Sequence, residues 1–159
     1  MKQIFGAALA ALAFAGGPAG ADSFADHPVD IYTGQAVMPD FAGAQSAYSM
    51  FRTRLGEAAQ GGANYAGNYV LYEMGCGTGC VMAFVIDLTS GAIMDAPVSG
   101  ERQLNARYYY RADSALLKTT WIEGPWDTGI CMIGEWTLDA RGFHLISTTR
   151  HVPLEDCQS

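Results

Sequence analysis

The sequence predicts an α+β fold, with one N-terminal amphipathic helix packed on a mainly antiparallel sheet of about seven strands. Three observations carry this expectation. From Tyr69 to His151 the chain divides into roughly seven short segments rich in aromatic and branched residues. The connections between them are short and carry Gly, Asp and Ser, the residues of tight turns. Ahead of them, only the stretch from Phe41 shows helical spacing, so one helix precedes a run of strands.

The elements follow in order. Residues 1–21 read as a signal peptide: Lys2 gives a basic start, Ile4 to Ala15 is almost unbroken Ala, Leu and Phe, and Ala19-Gly20-Ala21 is the small-residue pattern a signal peptidase cuts, so the mature protein is expected to begin at Asp22. Residues 22–40 hold Pro28 and Pro39 and no helical period, and are expected to form an extended leader lying over the domain at 41–159. Phe41, Ala44, Tyr48, Phe51 and Leu55 recur at steps of three and four, which predicts an amphipathic helix ended by Gly61-Gly62.

Strands are expected at Tyr69–Met74 and Val81–Asp87; the second is so continuously apolar that both of its faces must be covered, which makes it central. The turn Asp87 to Gly91 leads into a returning strand at Ala92–Asp95. Arg107–Arg111 and Ala115–Ile122 pair across Ala112-Asp113-Ser114, and Ile130–Leu138 pairs with Phe143–His151 across Asp139-Ala140-Arg141-Gly142.

Charge and length restrict function. Removing the signal from the 159 residues leaves 138, enough for one core, and changes the net charge from −7 to −8 because the signal holds Lys2 and no acidic residue. Such a surface repels phosphate backbones and no Lys/Arg cluster overrides it, so nucleic acid is not an expected partner. Membrane insertion is not expected either, since no stretch after the signal approaches the roughly 20 apolar residues of a membrane helix.

Four cysteines, Cys76, Cys80, Cys131 and Cys157, entering an oxidising compartment imply two disulfides with three possible connectivities. We favour Cys76 with Cys80 and Cys131 with Cys157. Chain entropy gives about 2 kcal/mol for the first loop and about 3.5 for the second. Glycines around Cys76 in Gly75-Cys76-Gly77-Thr78-Gly79-Cys80 allow the tight turn such a bridge needs. The alternative is functional. Met74 and Met82 flank the two cysteines, and thiolates with thioethers suit Cu(I), so Met74, Cys76, Cys80 and Met82 form an alternative copper or thiol redox site. The four-residue spacing matches oxidase-type copper motifs, but Phe84 stands where those motifs have His. The expected cofactor state is none, with copper as the alternative.

Other candidates are weaker. His27 falls in the leader, and the odd spacing of His144 and His151 on the last strand predicts opposite faces. There is no G-x-S-x-G elbow and no H-E-x-x-H helix. Carboxylates are plentiful, among them Glu73, Asp87, Asp95, Glu123, Asp127 and Glu135, but their separations are not legible in one sequence. Tyr109, Trp121 and Trp126 are the candidate binding residues, as exposed rings beside an acidic rim. The competing expectation is that alternate residues of Tyr108-Tyr109-Tyr110 are core and that Trp126 folds over the sheet edge.

Phe51-Arg52-Thr53-Arg54, Asn64-Tyr65-Ala66-Gly67-Asn68-Tyr69 and the Gly75 to Cys80 loop resemble a group of small exported bacterial proteins with an N-F-A-G-x-Y and G-C-G-T/S-x-C pattern. The turn Asp87 to Gly91 and the Ala112 to Leu117 segment match its later D-x-x-T-G and D-S-x-L-L features. The resemblance covers Phe51 to Leu117, departs at Tyr65 and Val81, and carries no catalytic residue across. Together these features lead us to expect a periplasmic or secreted, non-catalytic binding domain for a protein, peptide or envelope component, with the copper or redox protein as the alternative.

Overall fold

A computed structural model describes residues 21–151 and 154–158; the expected signal peptide, apart from Ala21, lies outside them. Among the described residues there are seven strands: β1 Tyr69–Gly77, β2 Cys80–Asp87, β3 Ile93–Asp95, β4 Gln103–Tyr110, β5 Leu116–Glu123, β6 Ile130–Asp139 and β7 Gly142–His151. All neighbouring pairs are antiparallel. The strands form two sheets, β1-β2-β3 and β4-β5-β6-β7, where the sequence predicted one. The break falls after β3, where Ala96 to Arg102, with Pro97 in it, carries the chain to the second sheet instead of pairing alongside the first.

The helix differs from expectation as well. Within the expected helix, Ser46–Phe51 wind as a 3₁₀ helix and Arg52–Gln60 (α1) is α-helical, so the helical segment starts later than Phe41 and follows residues 22–40, which hold a short 3₁₀ turn at Phe24–Asp26 rather than being extended throughout. Gly43, Ser46 and Ser49 are poor helix formers, whereas Leu55, Glu57, Ala58, Ala59 and Gln60 are good ones. The apolar spacing from Phe41 to Phe51 still does its work, because Phe41, Tyr48 and Phe51 pack beside the buried Leu55 and Ala59.

Alternation along β1 and β2 sets a three-layer arrangement. Val70, Met74, Phe84 and Ile86 face α1 in one apolar cluster. Leu71, Ala83 and Val85, on the opposite face, pack with Tyr108, Leu117, Trp121 and Met132 of the second sheet. The three-stranded sheet is therefore covered on both faces, and β2 is its central strand. On the far side of the second sheet, Ile122, Cys131 and Cys157 form a small third cluster under the C-terminal turn Glu155–Gln158 (α2).

One register detail bears on the histidine expectation. Between Glu135 and Trp136 the β6–β7 pairing shifts, because β7 carries an extra residue at Ile146. His144 pairs with Thr137, and the extra residue interrupts the strict alternation along β7 on which the expectation from odd spacing rested.

Candidate functional site

Residues 22–40 position the principal cleft. The leader is tied to the second sheet where the Ala115 N–H donates to the His27 carbonyl (2.9 Å) and the Val29 N–H to the Asp113 carbonyl (3.0 Å). It then crosses to the first sheet, with the Tyr32 N–H donating to Gly67 (3.0 Å) and the Val37 N–H to Leu88 (2.8 Å). Two glycines permit this. A Cβ on Gly67 would stand 2.6 Å from the Asp30 carbonyl oxygen, and one on Gly91 would stand 2.8 Å from that of Met38. Both have positive φ, 82° and 75°.

Asn64 to Asn68 form a tight loop leading into β1, closed by bridging between Tyr65 and Tyr69. Ala66 and Gly67 turn it through positive φ, and their N–H groups donate to the carbonyls of Arg111 and Ala112. The fully buried Tyr65 reaches across to donate its hydroxyl to the Ala115 carbonyl (3.2 Å), and burial holds its phenol well above the ordinary range. Asn68 completes the junction: its side-chain N–H donates to Asp87 Oδ1 (2.7 Å), and its carbonyl accepts from the Leu88 N–H (2.9 Å). Three of the segments that carry the resemblance, Asn64 to Tyr69, Asp87 to Gly91 and Ala112 to Leu117, thus meet at one place, the seam where leader, first sheet and second sheet join, while Phe51 to Arg54 and the Gly75 to Cys80 loop lie away from it.

At this seam lies a cleft of about 790 Å³, lined by residues 29–34 of the leader, by Ala66 to Tyr69, by Asp87 and Thr89, and by the β6–β7 hairpin at Leu138, Asp139 and Ala140. Its volume lies in the range of ligand sites. Three carboxylates line it, and they are not equivalent. Asp139 is neutralised by its own hairpin: Arg141 Nη2 lies 3.0 Å from Oδ2 and His144 Nε2 lies 2.9 Å from Oδ1. These bonds, with the Arg141 N–H, hold its carboxyl far below the usual range.

Asp87 differs. Burial pushes its carboxyl up, but hydrogen bonds from Thr89, Ser90 and Asn68 outweigh this and hold it below the ordinary value. All those donors are neutral, so they fix the carboxylate without cancelling its charge. Asp30, contributed by the leader, is exposed and forms no ion pair among the described residues. The cleft therefore presents two uncompensated negative charges beside the apolar Val29, Ile31 and Leu138.

The residues singled out from sequence lie elsewhere. Both expected disulfides are present, Cys76–Cys80 across the β1–β2 turn and Cys131–Cys157 between β6 and α2, with Cα separations of 5.1 and 5.6 Å. The copper alternative is not assembled in this form, because the sulfurs of Cys76 and Cys80 are joined to each other. Met74 and Met82 pair across β1 and β2 and pack into the α1-side cluster. Among the described residues, no group of three or more His, Cys, Asp or Glu is arranged to hold a metal. Tyr109 is 49 % exposed on β4 and Trp126 is 48 % exposed in the β5–β6 turn, but Trp121 is 8 % exposed, a core ring rather than part of the same outer surface. These three do not form one patch with the cleft.

Asp30, Asn68, Thr89 and Asp139 were not singled out as site residues from sequence. The signal available was the clustering of the resemblance motifs, Asn64 to Tyr69 and Asp87 to Gly91, without adjacent chemistry of their own. No protein family matches the chain, and no curated protein or solved structure does.

Proposed function

We propose that this chain is an exported, non-catalytic binding protein whose leader cleft receives a basic side chain of an extended peptide or protein segment. The observation that carries the reading is the presence, in one cleft of about 790 Å³, of the Asp30 and Asp87 carboxylates with no ion pair to either among the described residues. A guanidinium or ammonium group supplies the missing charge, and its alkyl stem fits the apolar wall of Val29, Ile31 and Leu138. The net charge of −7 attracts the same class of ligand at long range. Asp87 is held in place by four hydrogen bonds before any ligand arrives, which limits the ordering cost of binding.

Export rests on the Lys2 to Ala21 pattern in the sequence and accords with two disulfides. Among the described residues no helix is long and apolar enough to cross a membrane.

Fluorescence anisotropy with labelled tetra-arginine and tetraglutamate peptides tests the reading. The basic peptide is expected to bind, to weaken as salt is raised, and to lose about tenfold in affinity with Asp30→Asn. Equal affinity for the two peptides, or no effect of Asp30→Asn, counts against it.

A further inference from the structure

A second cleft of about 570 Å³ opens at the other end of the molecule, where the first sheet gives way to the second. It lies between the end of β3, the loop that follows, and the end of β5, and shares no lining residue with the leader cleft. Its chemistry is mixed. Asp95 stands at the end of β3 and Glu123 at the end of β5, so each sheet contributes one carboxylate, an acceptor only. Arg102 contributes a guanidinium, a donor only. None of these three pairs with another charge among the described residues.

Two neutral groups are oriented by bonds of their own. The Ser99 hydroxyl oxygen accepts from the Ala83 N–H (3.0 Å), which leaves its proton to donate elsewhere. The Gln103 side-chain carbonyl accepts from the Ser99 N–H (3.4 Å), which directs the opposite end of that amide, its NH₂, away from this bond. Trp121, 8 % exposed, adds an aromatic residue to the lining.

We propose that this cleft binds a short saccharide. A sugar hydroxyl donates and accepts at once, so a ring carrying several can satisfy the carboxylates and the guanidinium, amide and hydroxyl donors together. A purely cationic ligand leaves Arg102 opposed, and a purely anionic one leaves Asp95 and Glu123 opposed. Planar polar side chains around an aromatic lining suit a ring with polar edges and an apolar face. The volume lies within the roughly 300–1,000 Å³ of small-molecule pockets. The site does not depend on the leader cleft.

Isothermal titration with chitotetraose, cellotetraose and maltotetraose tests it. At least one is expected to bind saturably with a Kd of about 1 mM or tighter. The double variant Asp95→Asn, Glu123→Gln and the single variant Arg102→Ala change exposed side chains, and each is expected to weaken that binding about tenfold or more. Asp30→Asn, in the other cleft, is expected to leave it unchanged. No binding by all three sugars overturns the assignment. So does binding that both cleft variants leave intact, or binding that Asp30→Asn abolishes.

Discussion

Replacing Gly67 by Ala probes the approach of the leader, and Gly62 supplies a matched control. The two glycines have nearly the same backbone angle, φ 82° and 84°. An alanine at either costs about 1–2 kcal/mol for the left-handed conformation. Their surroundings differ. The new methyl at Gly62 meets nothing within 4 Å, whereas at Gly67 it stands 2.6 Å from the Asp30 carbonyl oxygen and 3.4 Å from a methyl of Val29. Both contacts belong to the leader, so relief requires residues 29 and 30 to move away, which also strains the Tyr32 to Gly67 hydrogen bond (3.0 Å). Losing that bond adds about 0.5–1.5 kcal/mol. Urea melts are expected to show Gly67→Ala destabilised by about 2–3 kcal/mol, and Gly62→Ala by about 1 kcal/mol less. Chymotrypsin should cut after Tyr32 faster in Gly67→Ala alone. Equal losses with unchanged cleavage would falsify the claim that the leader is seated on Gly67.

Three further outcomes follow from the packing and chemistry described. Leu55→Ala empties a fully buried position between α1 and the first sheet and is expected to cost about 2–5 kcal/mol, while Met50→Ala, 81 % exposed, costs little; similar urea midpoints for the two would mean α1 is not docked. The unreduced protein should lie about 4 Da below the reduced one by intact mass, with Cys76 linked to Cys80, and Cu(I) should bind it no better than a Cys80→Ser variant does; two free thiols with tight Cu(I) binding would restore the copper alternative. The folded-state pKa of Asp87 lies below its unfolded value near 3.8, so its contribution to stability is full above that value and is lost as pH falls through the lower folded value. Acid titration of stability should therefore be shallower in Asp87→Asn below about pH 4, and identical slopes would show that the carboxylate is not held by its donors.

Much of the strand layout was legible because it is local. Asp139 to Gly142 and Asp87 to Gly91 mark turns by residue type, and the alternation of apolar residues fixes which side of β1 and β2 faces α1. The division into two sheets was not legible, because hairpin chemistry specifies each turn but not whether β3 meets β4 edge to edge or packs over it. The helix start was misplaced for a related reason: steps of three and four fit a 3₁₀ turn and an α-helix alike, and the low helix propensity of Gly43, Ser46 and Ser49 decided between them. One inserted residue, Ile146, interrupts the alternation on which the histidine expectation rested. Trp121 was expected as an exposed ring because aromatic content does not reveal depth; it is 8 % exposed and packs between the sheets, reaching the surface only at the second cleft. Asp30 was least visible of all. It gains its meaning only when the leader brings it into the same cleft as Asp87, more than fifty residues later in the chain.

The central claim is that the leader cleft is a binding site for a basic group, and amide chemical-shift mapping tests it most directly. On titrating ¹⁵N-labelled protein with a tetra-arginine peptide, the account predicts saturable shifts concentrated at Ile31 to Gly34, Gly67 to Tyr69, Asp87 and Thr89, with tetraglutamate producing none there. Shifts from both peptides alike, or shifts from tetra-arginine that spare these residues, would contradict it.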